Sequence, residues 1–232
     1  PSIKEADGNS LAPIAAKDKL TAVVPQYPGM LASDLISVTW AGTAGNGSHT
    51  TTAVEVGTVG SKEIELLNSV VAFNLGQVVS VIDKVTRGTT ITPSDPLSLT
   101  LQTINDEESG LPTPAIDGAT GDELDVTKLQ DSARTRIAKW PLIALNQKIW
   151  LLYSGTNADG TTYKNQFYNG ANVGSDGLNG YLPQAPVAEL RKLKDGSSLR
   201  VEFKVGFDGS TDEGKAVSFP IRAYKIKAIP EL

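Results

Sequence analysis

An all-β chain of two tandem antiparallel β-sandwich domains is predicted by three observations. First, the sequence repeats itself. Tyr27-Pro28, an extended run ending in Trp40, then Ala41-Gly42-Thr43 and a Gly47-Ser48 turn recur 113 positions later. There they read Trp140-Pro141, a run ending in Tyr153, Ser154-Gly155-Thr156 and a Gly160-Thr161 turn. Val59-Gly60-Ser61 recurs at Val173-Gly174-Ser175 and Lys84-Val85 at Lys204-Val205, so the offset widens to about 120, as loop insertions dictate. A repeat of about 110 residues has the size of a domain and is too long for a solenoid unit. Second, short runs alternate apolar and polar residues between turn signals. Third, Val, Ile, Thr and Gly with 13 prolines suit strands and turns. A barrel of similar strand number would leave much the same pattern.

The elements follow in order. Residues 1–12 are polar and are expected to be loosely held. Residues 17–24 read as extended, closed by Pro25. The clearest strand covers 35–40, with Ile36, Val38 and Trp40 on one face and Ser37 and Thr39 on the other. Gly45-Asn46-Gly47 marks a turn; 50–59 and 77–85 read as further strands, and Leu97, Leu99 and Leu101 line the last one. Residues 105–114, acidic and then rich in Gly and Pro, read as a linker between domains 1–104 and 115–232. In the second domain Ile149, Leu151 and Tyr153 take the places of Ile36, Val38 and Trp40. Apolar residues over 187–193 have helical spacing, and one or two turns with a glycine cap at Gly196 are expected. Leu199, Val201, Phe203 and Val205 then alternate with charged residues in a half-buried strand, and a last strand is expected over 218–229.

Bulk properties exclude several function classes. A net charge of −5 argues against nucleic-acid binding, which needs a basic face. The absence of cysteine excludes disulfide and thiolate chemistry. No apolar run reaches the length of a membrane span, so no membrane insertion is expected.

At this point the residues resemble a family. Tyr27-Pro28 through Trp40-Ala41-Gly42-Thr43, with Val85-Thr86-Arg87-Gly88 and Ser94-Asp95-Pro96-Leu97-Ser98-Leu99, resembles the immunoglobulin-like repeats of large bacterial surface proteins. These occur in pseudomonads and are loosely related to invasin and intimin stalk modules. Trp140-Pro141 through Tyr153-Ser154-Gly155-Thr156, with Asp195-Gly196-Ser197-Ser198-Leu199, is similar to a sister repeat. The resemblance implies two tandem immunoglobulin-like antiparallel β-sandwich domains, a cell-surface or secreted bacterial setting, and no catalytic residues or cofactor.

One position departs from the repeat. Aligning Val81 with Val201 puts Asp83 where Phe203 stands. An acid in a core position needs a partner or a local change. Either a bulge turns Asp83 outward, or it is buried against a cation such as Lys84 or Arg87.

Residues that carry chemistry are few. His49 is the single histidine, in a loop rich in Gly and Thr; a catalytic triad or a zinc site would need more. The run 174–180 has glycines every third position but fits neither a phosphate-binding loop nor a dinucleotide fingerprint. Asp106, Glu107 and Glu108 at the join are either solvated charge or oxygen ligands for a calcium ion that would stiffen it. The acidic loop 208–214 lacks the alternating spacing of a calcium loop. Trp40 and Tyr153 are expected to anchor the two cores. Trp150 and Leu152 point opposite to Tyr153 and correspond to Ser37 and Thr39, so the second domain has an apolar outer face. That face is either a contact surface, extended by Tyr163, Phe167, Tyr168 and Tyr181, or is covered by a neighbouring strand or domain.

The expected function is a non-catalytic stalk segment of a larger surface or secreted protein, related to adhesion, with neighbouring repeats as partners. The alternative is a binding module for a host glycan or protein, acting through the aromatic face of the second domain.

Overall fold

The computed structural model describes residues 1–106 and 110–229. The chain divides into two compact units, Pro1–Ile104 and Asn105–Leu232.

The first unit contains β1 (Ser2–Ile3), β2 (Ser10–Leu11), β3 (Leu20–Val24), β4 (Leu35–Ala41), β5 (His49–Thr50), β6 (Val54–Glu55), β7 (Lys62–Leu66), β8 (Val78–Arg87), β9 (Thr90–Pro93) and β10 (Leu97–Leu101). One sheet runs β1-β3-β7. The other runs β2-β10-β8-β4-β5, with β6 also on β4 and β9 on β8. The second unit contains β11 (Ala115–Ile116), β12 (Glu123–Asp125), β13 (Thr135–Ala138), β14 (Lys148–Thr156), β15 (Thr162–Asn172), β16 (Gly180–Tyr181), the short helix α1 (Val187–Leu190), β17 (Ser198–Gly206), β18 (Val217–Ser218) and β19 (Arg222–Lys227). Its sheets run β11-β13-β16 and β12-β19-β17-β14-β15, with β18 on β17.

The two units therefore share one strand order. In each, the first strand is split between the sheets, and its second half lies parallel to the last strand, β2 on β10 and β12 on β19. The remaining pairings are antiparallel, for example β4 on β8 and β14 on β17. This is an immunoglobulin-like sandwich built twice.

Alternation sets the cores. Along β4, Ile36, Val38 and Trp40 are buried between more open neighbours. Leu199, Val201, Phe203 and Val205 of β17 are wholly buried. Each such side chain contributes about 1.5–3 kcal/mol by leaving water. Trp40 lies opposite Val81 and Tyr153 opposite Val201, so the two aromatic anchors hold the same place. Tyr153 shares a hydrogen bond of 2.5 Å with the hydroxyl of Thr135, and burial pushes its phenol up to about 12. Ile3 pairs with Ala22 and Ile116 with Thr135, so Ala22 stands where Thr135 does. The buried Trp40 Nε1 has no hydrogen-bond partner among the described residues.

Several expectations are corrected. Residues 1–12 are not loose: β1 and β2 are paired, and Ile3 and Leu11 are buried. Their polar residues lie between two inward-pointing apolar ones, which is enough to dock an edge. Of the expected strand 50–59, only β5 and β6 pair with β4, and His49 is a strand residue opposite Trp40. Leu111 and Pro114, at the end of the proline-rich join, are buried. Helix α1 ends at Leu190 with Arg191 as its C-cap, and Gly196 (φ 71°) serves a later turn. The last expected strand is two pieces, β18 and β19. The 11-residue edge strand β15 was not anticipated, because bulges at Phe167 and Gly170 break its alternation. Among the described residues no helix is long and apolar enough to cross a membrane.

Candidate functional site

The residues of the expected contact surface do not share one face. Trp150 is buried, 3% exposed. Its ring lies over two glycines of the flanking strands: a Cβ on Gly170 would be 3.6 Å from it and one on Gly206 3.4 Å. The absence of those side chains makes the seat for the indole. Leu152 is half-buried. Tyr163 is buried and donates to Glu189 Oε2 of α1 at 2.8 Å, where Asn165 Nδ2 also donates. Burial, and then the Glu189 carboxylate, raise the Tyr163 phenol above its ordinary value. Tyr168 pairs with Leu151 and so lies on the core side of β15. Phe167 is exposed, edge-on to Tyr168 with centroids 4.9 Å apart. Tyr168 meets Tyr181 at 5.6 Å, and Tyr181 stacks on Trp140 at 6.1 Å. These rings close the side of the sandwich between β15 and β16.

The carboxylate candidates have structural uses. Asp106 Oδ1 accepts from Ser218 N at 2.8 Å; Glu107 and Glu108 lie outside the described residues. In the loop 208–214, Asp208 and Asp212 accept from the backbone of Ser210 and Gly214. No group of three or more potential metal ligands occurs among the described residues.

The feature that sequence reasoning missed is a cavity of about 480 Å³ in the first unit, lined by Tyr27, Pro28, Asp83, Val85, Arg87 and Ser94 among others. The internal repeat explains it. Val38 pairs with Asp83 and Leu151 with Phe203, so Asp83 holds the place of Phe203. Ser94 N donates to Asp83 O, and Phe219 N donates to Phe203 O, so Ser94 holds the place of Phe219. Tyr27 corresponds to Trp140. In the second unit these places form a ring cluster: Trp140–Phe203 at 5.4 Å, Trp140–Phe219 at 5.8 Å and Phe203–Phe219 at 5.1 Å. The first unit lacks two of these rings, and the cavity adjoins the places where they stand in the second.

Of the two expectations for Asp83, the outward bulge does not form and the burial does, though not against the cations expected. The register runs through it without a bulge, and it is buried at 5% exposure. The Pro1 nitrogen lies 3.4 Å from its Oδ1, and among the described residues neither Lys84 nor Arg87 pairs with it. Arg87 is engaged elsewhere, with Nε on Asp34 Oδ1 and Nη2 on Asp34 Oδ2, both at 2.7 Å, and Nη2 also on Gly29 O. Tyr27 Oη and Leu31 N complete the shell of the wholly buried Asp34. The guanidinium holds the Asp34 carboxyl well below the usual carboxylate range. Burial, and then the bond to Asp34, push the Tyr27 phenol up to about 12.

The fold and its sites define the class as a tandem pair of immunoglobulin-like modules. No family model matches the chain, and no curated protein does. Among solved structures the chain aligns over 94% of its length with a chain from work on host cell surface retention of a 1.5-MDa bacterial ice-binding adhesin, at 13% identity and a TM-score of 0.30. It spans 61% of that chain. It also aligns over 94% of its length with 95% of the C-terminal domain of the Streptococcus pyogenes antigen I/II-family protein AspA, at 11% identity and a TM-score of 0.27. Likenesses this weak carry no functional argument.

Proposed function

We propose that the chain is a non-catalytic structural segment, a stalk or spacer with an adhesion-related role, of a larger bacterial surface or secreted protein. The observation that carries this reading is the recurrence of one main strand order in two units, each with its own buried core. Strings of self-sufficient modules span distance and multiply weak contacts. Neighbouring modules are the expected partners. Intact-cell labelling and an immunoblot with antibody against the two units test it. A labelled band far heavier than 24.5 kDa supports a surface segment; a band near that mass, confined to cytosol or medium, overturns it.

A second reading, a carbohydrate- or protein-binding module, is favoured by the exposed Phe167 with Tyr168 edge-on behind it. Exposed rings of this kind stack on sugars or anchor protein partners. Loss of cell or glycan binding on Phe167→Ala, with the fold intact, would put this reading first.

A further inference from the structure

The glycine-rich run 174–180 goes beyond what the fold requires. Ala22 and Thr135 hold one place, so Val24 and Ile137 correspond as well. Their partners across the sheet are Lys62 and Tyr181. Ser61 and Ser175 are matched by the internal repeat. The first unit therefore passes from Ser61 straight into its strand at Lys62, and residues 176–180 are an insertion found in the second unit alone. The insertion is fixed in shape by its glycines. A Cβ on Gly177 would fall 2.1 Å from the Tyr181 hydroxyl, and one on Gly180 (φ 95°) would fall 2.4 Å from Ile137 O. Tyr181 is itself held against Trp140 and Tyr168.

Asp176 and Asn179 of the insertion are exposed, and they line a groove of about 460 Å³ with Arg136, Tyr181 and Leu182 among others. That volume falls in the range of small-molecule sites. The polar groups of the groove are only partly used. Arg136 Nε and Nη2 meet Asp117, which leaves Nη1 as a donor. Ser175 Oγ donates to Asp176 Oδ1 at 2.9 Å, which leaves Oδ2 as an acceptor. The Asn179 amide has no hydrogen-bond partner among the described residues. Donors and acceptors on planar groups thus stand beside the exposed side chain of Leu182. Such a set fits paired hydroxyls on an aliphatic ring. Arg136 is neutralised by Asp117, and Asp176 adds a negative charge, so the groove disfavours an acidic ligand.

We propose that this groove binds a neutral saccharide. The Asn179 amide and the Asp176 carboxylate take its hydroxyls, Arg136 Nη1 donates to a further oxygen, and Leu182 packs on its C–H surface. The proposal rests on the second functional reading, a carbohydrate-binding module. It places the sugar at the insertion, with Phe167 at the other end of a row of rings that runs through Tyr168 to Tyr181.

The test is a titration of the full chain with the methyl glycosides of glucose, galactose, mannose and N-acetylglucosamine, and with N-acetylneuraminic acid as an acidic counterpart, followed by amide chemical shifts. Saturable shifts over 136–138 and 176–182 are expected with at least one neutral glycoside. Asn179→Ala, which loses no partner within the chain, and Asp176→Asn should each weaken binding about tenfold. Joining Ser175 directly to Tyr181, as Ser61 joins Lys62 in the first unit, should abolish it. Should that shortened chain not fold, Asn179→Ala decides. Unchanged affinity in both substitutions, or tighter binding of the acidic sugar, would overturn the proposal. Shifts confined to 167–168 would overturn this site alone and leave the carbohydrate-binding reading standing on Phe167. No shift at any residue with any of the sugars would tell against the site and that reading together.

Discussion

Asp34 of the first unit and Gln147 of the second hold the same position in a repeated turn, one as an ion-paired carboxylate and the other as a neutral amide. Gln147 accepts from Trp140 Nε1 at 3.2 Å and donates to Leu142 O at 2.8 Å. Asp34 accepts from Tyr27 Oη, and Arg87 bridges it to Gly29 O. Gly29 and Leu142 are themselves equivalent, both with positive φ, 75° and 60°. The place of Arg87 is taken by the buried Phe207. One turn is thus fastened by two chemistries, ionic and neutral.

Asp34→Asn should therefore destabilise the first unit alone. The substitution removes the charge that Arg87 and Tyr27 point at, and a drop of roughly 5 °C or more in that unit's melting temperature is expected. Trp40 is the first unit's tryptophan, and its fluorescence in a Trp140→Phe, Trp150→Phe background reports the transition. An unchanged midpoint would mean that the pair contributes nothing.

The same residue sets an acid limit. The folded Asp34 carboxyl lies far below its usual value, so its contribution is complete above about pH 4 and is lost as pH falls from there toward the folded value. The wild-type first unit should lose stability between about pH 4 and pH 2 more steeply than Asp34→Asn. Tyr27, raised to about 12, has the opposite sign: its contribution is complete below about pH 10 and is lost as pH rises from 10 toward 12. Tyr27→Phe should flatten that alkaline limb in urea midpoints recorded against pH.

Gly29→Ala isolates the backbone term. A Cβ at Gly29 meets nothing within 4 Å, so the cost is that of the left-handed conformation alone, about 1 kcal/mol. Leu142 bears the same strain, offset by burial of its side chain. Leu142→Gly should consequently lose stability, by about 1–2 kcal/mol in urea unfolding, despite relieving the backbone.

The anchors Trp40 and Tyr153 differ together with Ala22 and Thr135. Trp40→Tyr should cost about 1–3 kcal/mol, for lost volume and an unpaired hydroxyl. Adding Ala22→Thr supplies the partner that Thr135 gives Tyr153 and should recover about 1 kcal/mol. Strict additivity in the double-mutant cycle would show that the two side chains do not meet in the first unit.

Trp150→Ala should destabilise the second unit by about 3–5 kcal/mol, because the ring is enclosed over Gly170 and Gly206. Phe167→Ala should leave urea midpoints within about 0.5 kcal/mol. The reverse ranking would return Trp150 to the surface.

What the sequence disclosed depended on how far one register could be carried. The offset of 113 matched Trp40 to Tyr153, and its drift to 120 matched Asp83 to Phe203; the strand pairings give the same equivalences. The cavity stayed hidden because its other half, Ser94 against Phe219, lies beyond a loop that shifts the register again. Alternation pointed Trp150 outward, but it carries no information on the glycines of flanking strands that enclose the ring. The apolar pair Ile3 and Leu11 was too widely spaced to read as strand, since the two belong to different sheets.

The parallel pairing of the split first strand with the last has a mechanical consequence. Pulled from its two ends, each unit loads these neighbours in opposite directions along their length. The bonds across them, Thr100 N to Asn9 O and Gln102 N to Leu11 O in the first unit, Lys225 N to Asp122 O and Val126 N to Lys227 O in the second, then bear tension together as a shear clamp. They must rupture as a group, where an antiparallel hairpin pulled at its open end would unzip one bond at a time.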